Sequence, residues 1–340
     1  MTCTTAYNDK GKQVLANLGC SCYINTAVQC MSHCIPFLHH ILNHDCKGAD
    51  FDVFKELRDL LVILWLDRKG VIPRRFVKAM RLSFDKLMNI DEQNDMQEFV
   101  NILIDKLNAS IGQALGANDI ARICNDLDDF NRRANTSWLS VHKAAYSWIV
   151  DMFYGQFVRQ ITCSHCKDVT HIFDTFSDVM ISFDQEGCED DAELGRMVSK
   201  LINRELIPDR ECDSCKNHAP GECITRFYRL PQILMINVKR FSGNLTKVTK
   251  PINVPEHIDL SATCIDIKPD VKAKYSLMSI ACHIGSMHNG HYFAVCRHPD
   301  GSWLMIDDDS LSPIEHYTKI DSRAYYTMFY VNSEHMKCTI

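Results

Sequence analysis

The sequence has no long apolar run. Its longest uninterrupted stretch is Leu60 to Leu66, and a membrane-spanning helix needs roughly 20 such residues, so no segment reads as crossing a membrane. A basic excess is also missing. Lys+Arg is 37 against Asp+Glu 43, a formal net charge of -6, so the electrostatic footprint of a nucleic-acid-binding chain is absent. Met1 to Asn17 has no basic start followed by an apolar stretch and a cleavage site. The expectation is therefore an intracellular protein, cytoplasmic or nuclear. No internal repeat and no low-complexity tract is found. Hydrophobic residues are not scarce: they make up 46% of 340 residues, with 24% charged. That composition excludes disorder as the main state and supplies a core for one large domain or a few packed subdomains.

What is present in unusual number is cysteine, 17 residues. The count is odd, and disulfides are rare in reducing compartments. Free thiols, metal ligands or a catalytic thiolate are the better readings. Around them the chain changes texture once. Asp52 to Asp67 carries Phe54, Leu57, Leu61 and Leu64 at the spacing of one helix face. A second helix is predicted from Pro73 through Leu82, a third over Asp95 to Leu107, and a fourth over Ser137 to Met152. After Phe153 come short β-rich runs: Phe157–Thr162, Ile233–Val238, Met278–Cys282, Tyr292–Cys296, Trp303–Ile306 and Thr327–Val331. Helices followed by antiparallel strands give an α+β layout. The polar stretch Ile111 to Asn135 reads as a loop-and-helix insertion of unassigned role.

Two cysteine pairs share one spacing, Cys163-Ser-His-Cys166 and Cys212-Asp-Ser-Cys215. A C-x-x-C turn sets two sulfurs on one side of a knuckle, and two facing knuckles make a tetrahedral four-thiolate site for zinc. Such a site is closed, so the metal would be structural. Four unrelated cysteines are the alternative, and two matched pairs argue against it. His165 lies inside the first knuckle and is not expected to be a ligand.

Cys22 precedes a helical run through Ile24, Ala27, Val28 and Met31. A helix N-terminus, with its open N–H groups, favours a thiolate, and Asn17 and the loop backbone offer oxyanion donors. A buried, inert thiol is the plain alternative, and Cys20 competes as the reactive one. A thiolate needs a base and a group to orient that base. The loop from His283 to Gly290 leads into His291-Tyr292 at the mouth of a strand, and Trp303 to Asp307 forms the returning strand. Pairing of those strands across Pro299-Asp-Gly-Ser302 brings Asp307 near His291, where it can hold the imidazole. A solvated hairpin tip is the alternative reading.

Taken together, these boxes resemble the catalytic domain of ubiquitin-specific proteases, the papain-like deubiquitinases. Residues 17 to 25 match Asn-Leu-Gly-x-x-Cys-Tyr-x-Asn, and Gln93-Asn-Asp95-Met-Gln-Glu98-Phe99 matches Gln-x-Asp-x-x-Glu-Phe. Leu230-Pro231 through Lys239-Arg240-Phe241, Gly290-His291-Tyr292, and Trp303 to Asp308 match further boxes, in family order from about residue 12 to residue 331. The resemblance implies a helical thumb over residues 1–152 with the Cys box. It implies zinc-bearing β fingers over 153–230, with Cys163, Cys166, Cys212 and Cys215 as the four ligands, and a β-rich palm over 231–340 with the His and Asp boxes.

By the same resemblance Cys22 is the nucleophile, His291 the base, Asp307 its orienter, Asn17 an oxyanion donor and Asp308 a second supporting acid. Asp95 would pair with an arginine of the ubiquitin tail, with Gln93 beside it. Phe241, Gly290 and Tyr292 would line a channel narrow enough to demand glycine. The pattern departs at Cys20-Ser21, at Val14 and at Ile306, and none of these removes a catalytic atom. The expected activity is hydrolysis of the bond after ubiquitin's C-terminal glycine, with structural zinc as the only cofactor. Ubiquitin and ubiquitinated proteins are the expected partners, with no nucleic acid and no membrane, and a monomer is the default. A protease for a related modifier, or a ubiquitin-binding scaffold, is the alternative.

Overall fold

Apolar residues at helical spacing dominate the first 153 positions, and strands dominate the rest. The structure, a computed structural model, describes residues 6–45, 50, 52–67, 70–84, 87–124, 127–183, 192–202, 204–241, 246–265, 273–286 and 289–335. Residues 287 and 288, part of the loop before His291, lie outside the described residues, as do 125 and 126 of the 111–135 stretch.

The helices of the first part are α1 (Cys22–Ser32), α2 (Ile35–Asn43), α3 (Val53–Val62), α4 (Arg74–Phe84), α5 (Met96–Ile111), α6 (Ala117–Cys124), α7 (Asp129–His142) and α8 (Trp148–Phe153). In α5 the buried residues Met96, Phe99, Val100, Leu103, Ile104 and Leu107 fall on one face. Its start is fixed by Asp95, whose side chain accepts from the Gln97 and Glu98 amides. Helix α1 is different, since all eleven of its residues are buried. Its polar residues are therefore tied inward. Asn25 Nδ2 donates to the Leu15 carbonyl at 3.2 Å, and Gln29 Nε2 to the Gln13 carbonyl at 3.0 Å. These bonds hold the segment before Cys22 against the helix that Cys22 begins.

The strands are β1 (Gly155–Cys163), β2 (Val169–Phe176), β3 (Val179–Ile181), β4 (Ala192–Glu193), β5 (Arg204–Glu211), β6 (His218–Arg229), β7 (Ile233–Val238), β8 (Ile252–Asn253) and β9 (His257–Asp259). They continue as β10 (Lys274–Gly285), β11 (Gly290–Arg297), β12 (Trp303–Asp307), β13 (Ser310–Ile314) and β14 (Tyr325–Asn332), with one helix, α9 (Leu194–Leu201), among them. The large sheet runs β13-β12-β11-β10-β14-β7-β3 with β9 added on β10, and a separate four-stranded sheet runs β2-β1-β6-β5.

Both faces of the large sheet are covered. Tyr292, Ala294 and Cys296 of β11 join the core shared with α1 and α5, while Phe293 and Val295 join the core on the other face with Leu194 and Val198 of α9. Period-2 alternation thus feeds two cores. The first core presses α1 against β11, which is how a residue near the start of the chain meets one near its end.

Two expectations are corrected. The helix predicted over Asp52–Asp67 ends at Val62 and continues as a π-helical turn, Ile63–Asp67, that buries Leu64 and Trp65. The helix predicted over Ser137–Met152 is two: α7 ends at His142, and α8 restarts at Trp148 under a Ser147 cap. Tyr146 pairs with Gln113 across that break. The stretch 111–135, read as loop and helix, holds α6 and the first half of α7. Among the described residues no helix is long and apolar enough to cross a membrane.

Candidate active site and candidate metal centre

The sulfur of Cys22 sits at the first position of α1, 5% exposed. The residue before it, Ser21, occupies the capping position without capping. Its hydroxyl is used in the loop instead, accepting from the Leu18 amide at 2.8 Å and donating to Asn17 Oδ1 at 3.1 Å. The first-turn N–H groups of α1, orphaned as in any helix, stay open to the sulfur. The Tyr23 and Cys22 amides and the Tyr292 amide from β11 all favour the thiolate. Burial nevertheless outweighs them, and with the charge of Asp308 it raises the Cys22 pKa above its ordinary value. The helix-start argument from sequence has the right donors. Its missing part is desolvation, which leaves the resting group a thiol.

His291 and Asp307 meet directly, His291 Nε2 donating to Asp307 Oδ1 at 2.6 Å. That bond leaves Nδ1 as the free ring nitrogen. His291 is next in the chain to Tyr292, which lines the same cleft as Cys22. Among the described contacts the sulfur and the imidazole make no hydrogen bond. His291 and Asp307 are paired, and Cys22 lines the cleft together with the residues on either side of His291.

Asp308 follows in the tight turn between β12 and β13, at φ +48, a left-handed conformation that costs a non-glycine residue roughly 1 kcal/mol. Its carboxylate is clamped from the other wall. Asn17 Nδ2 donates to Oδ2 at 2.6 Å and Asn25 Nδ2 to Oδ1 at 2.8 Å. The Asp308 carbonyl accepts from the Leu15 amide at 3.1 Å. Asp308 is therefore the tie between the β12–β13 turn and the Cys22 loop. Asn17 Oδ1 takes the Gly19 amide at 2.9 Å, and Nδ2 has a second hydrogen beyond the one given to Asp308. Asn25 was quoted within its box without a role. Its spacing from Cys22, one helical turn on, was the available signal.

Beside the sulfur opens a cleft of about 260 Å³ lined by residues that include Cys22, Gln93, Asp95, Phe241, Gly290 and Tyr292. Its α5 wall is fixed to α1: Asn94 Nδ2 donates to the Tyr23 hydroxyl at 3.1 Å, and that hydroxyl donates to the Ile90 carbonyl at 3.3 Å. Asp95 caps α5 through Oδ1 and accepts from the Tyr326 hydroxyl through Oδ2. Gln93 spans to the opposite wall, its amide donating to the Gly290 carbonyl at 3.3 Å and accepting from the Gly290 amide at 3.4 Å. Gly290 has a steric reason to be glycine, since an added Cβ would lie 2.1 Å from His283 Nε2. Phe241 is held in place by its neighbour. The buried Arg240 guanidinium donates to the carbonyls of Tyr325 at 3.0 Å, Ser322 at 2.8 Å and Val248 at 3.2 Å, and also to that of Lys250. Besides Cys22, sequence reading named five of the lining residues; it missed His283, which also lines the cleft, and Tyr326, which holds Asp95.

At the far end of the small sheet Cys163, Cys166, Cys212 and Cys215 bring their four sulfurs within 4.8 Å of one another. The two knuckles repeat one backbone plan. Lys167 and Lys216 follow them at φ 64 and 58, and their amides close on the carbonyls of Cys163 at 3.0 Å and Cys212 at 2.9 Å. Amides of Cys215 and Ser214 point at the Cys212 sulfur and push its pKa down to about 7, which suits a thiolate ligand. The Cys166–Cys212 sulfur separation of 3.7 Å is far beyond a disulfide bond of about 2 Å. His165 turns aside to Asn217 at 3.4 Å. The four cysteines are positioned to bind a metal ion, and an all-sulfur tetrahedral donor set fits zinc.

Residues 14–330 match the family model described as ubiquitin carboxyl-terminal hydrolase. Among curated proteins, the chain is 25% identical to ubiquitin carboxyl-terminal hydrolase Usp2 of Drosophila melanogaster, over 93% of this chain and 34% of that protein. It is 27% identical to ubiquitin carboxyl-terminal hydrolase 2 of Homo sapiens, over 95% of this chain and 56% of that protein. The chain thus spans between a third and just over half the length of these relatives. Among solved structures, the SAGA Ubp8/Sgf11/Sus1/Sgf73 DUB module bound to ubiquitin aldehyde has a chain that matches with a TM-score of 0.74. That match has 20% identity and covers 96% of this chain and 70% of that one, which is a likeness of fold.

Proposed function

This chain belongs to the ubiquitin carboxyl-terminal hydrolase family, and on that premise we propose that it is a thiol-dependent deubiquitinase cleaving the bond after ubiquitin's C-terminal glycine. The observation that carries the reading is that Cys22 lines one cleft with Gly290 and Tyr292, the two chain neighbours of His291, whose ring pairs with Asp307. The relatives named as ubiquitin carboxyl-terminal hydrolases, and a fold neighbour bound to ubiquitin aldehyde, support ubiquitin as the substrate.

The chemistry follows from the residues. Burial keeps Cys22 protonated at rest, so the proton must leave as substrate enters. His291 Nδ1, the nitrogen that Asp307 does not occupy, accepts it. The thiolate attacks the glycine carbonyl, and the oxyanion is held by first-turn amides of α1 and the remaining Asn17 N–H. His291 returns the proton to the departing amine, then takes one from water as that water opens the thioester. Asp307 holds the ring through both steps, and Asp308 keeps the two walls in register.

The glycine tail would lie in the cleft beside Cys22 that Asp95, Phe241 and Tyr292 also line, with an arginine of the tail at Asp95. The four-cysteine site would hold one structural zinc ion, and the sheet it ties, β2-β1-β6-β5, would serve as the fingers. The helical part to residue 152 and the strands from 231 would be thumb and palm. The chain would act as a monomer on ubiquitinated proteins in the cytoplasm or nucleus. The test is hydrolysis of fluorogenic C-terminal amides of ubiquitin and of related modifiers. Wild type should cleave the ubiquitin amide, and Cys22→Ala should not. Cleavage by the alanine variant, or preference for another modifier, overturns the reading.

A further inference from the structure

Tyr326 and Asp95 meet at the cleft, and the elements that carry them meet again deeper in the molecule, at Asp178. Asp178 lies in the two-residue link between β2 of the small sheet and β3 of the large one. Its carboxylate takes amides from both sides. From α5, Gln97 Nε2 donates to Oδ2 at 2.9 Å and Asn101 Nδ2 to Oδ1 at 3.0 Å. Those two residues are four apart, neighbours on one helix face. From β7, Asn237 Nδ2 donates to Oδ2 at 2.6 Å. Asn237 is 2% exposed, and its oxygen accepts from the hydroxyl of its cross-strand partner on β14, Thr327, at 2.6 Å.

These contacts close a circuit. One arm runs from Asp178 to the Gln97 side chain, and the Gln97 amide donates to Asp95 Oδ1 at 2.7 Å. The other runs through Asn237 to Thr327, the chain neighbour of Tyr326. The arms rejoin where the Tyr326 hydroxyl donates to Asp95 Oδ2. Among the described contacts the partners of Asp178, these amides and the Ser177 hydroxyl, are all neutral. The carboxylate therefore supplies length and direction, not charge neutralisation. Removing it strands three amide donors, and α5 and β7 lose their common anchor. We propose that Asp178, which lies outside the cleft lining, is a positioning residue that holds the Asp95 carboxylate where it meets the arginine of the ubiquitin tail. The proposal rests on the reading of Asp95 given above. An ion pair weakens as its charges separate, and one kept from ground state to transition state acts on KM and spares kcat.

Steady-state hydrolysis by the full chain tests this with two fluorogenic amides, one of ubiquitin and one of a ubiquitin whose tail arginine is replaced by alanine. Asp178→Ala should raise KM for the first about fivefold and leave kcat within about twofold. On the second, which offers Asp95 nothing to hold, wild type and Asp178→Ala should share one KM. A purely structural role gives equal losses on both. Asp178→Asn combined with Asn101→Asp exchanges the two side chains, can remake all three bonds at the same net charge, and should recover the wild-type KM. Thr327→Val cuts the other arm without touching Asp178 and should give the same substrate-dependent rise. It carries the test if Asp178→Ala fails to fold. An unchanged KM, a rise of equal size on the two substrates, or a fall in kcat alone overturns the proposal. A wild type indifferent to the tail arginine removes the Asp95 assignment and this proposal with it, and a wild type that cleaves neither amide removes the deubiquitinase reading.

Discussion

His291 and Asp307 are not direct cross-strand partners, yet their side chains meet at 2.6 Å. The register of β11 and β12 pairs Ala294 with Ile306, so one further step places Asp307 opposite Phe293. Asp307 is the diagonal neighbour of His291 on the same face, within reach of a long side chain and an imidazole. The carboxylate approaches the ring at Nε2 and leaves Nδ1 for the sulfur. Asp307→Asn should lower kcat/KM by roughly 10³-fold, because an amide can hold the wrong tautomer. Both side chains are partly exposed, so the melting temperature should scarcely move. A variant with near wild-type turnover would remove Asp307 from the mechanism.

Asn25 and Asn17 clamp the same carboxylate and should behave differently. Asn25 is buried and also ties the Leu15 carbonyl. Its replacement by alanine strands two acceptors and should cost about 1–3 kcal/mol in urea denaturation. Asn17 is exposed, so Asn17→Ala should lose turnover with stability within about 0.5 kcal/mol. Equal stability losses in the two variants would contradict this division.

The four-thiolate site should bind one zinc per chain. Cys163→Ser and Cys212→Ser should each remove it, since each takes a ligand from a different knuckle. Amide protection should then fall in β5 and β6 and persist in α1, whose core is separate. Full zinc content in either variant by elemental analysis would show that the knuckles do not share an ion.

Stability should fall in mild acid for a stated reason. Burial lowers the pKa of His33 and of His142 from the ordinary 6.5 to about 4. The folded values are depressed, so between 4 and 6.5 the unfolded chain binds more protons. The stabilisation is complete above 6.5 and lost as pH falls toward 4, up to about 3 kcal/mol for each residue. His33→Asn keeps a donor for the Gln29 carbonyl and cannot titrate. Across that window its urea stability should vary with pH less steeply than wild type, by about one proton. Identical slopes would assign the acid sensitivity elsewhere.

The parts of the fold that were legible in sequence are those where one physical signal dominates. Residues 233–238, an apolar run interrupted only by Asn237, form β7 with those bounds, all six positions buried. The periodic Asp95–Leu107 segment is α5 with its acidic cap. Strands β5 and β2 went unread because they bury almost nothing: only Phe173 is buried in β2, and β5 has no buried position. Their register is held by β1, β6 and the cysteine knuckles, which no local pattern reveals. At the site, the Cys, His and Asp boxes stood out by residue type, and the structure brings His291 and Asp307 together. Tyr326 acts through contact with a residue 231 positions away, Asp95. Long-range partners of that kind leave no trace in spacing. Cys22 was expected to be activated by its helix, and its burial is a property of the assembled core alone.

The central claim is that the Cys22 sulfur, and no other of the 17 cysteines, reacts at the tail of ubiquitin. Incubation with ubiquitin carrying a C-terminal electrophile, followed by intact mass and peptide mapping, reads this directly. One adduct at Cys22, absent in Cys22→Ala and present in Cys20→Ala, is the predicted result. An adduct at Cys20, or no adduct in a folded, zinc-loaded chain, contradicts the account.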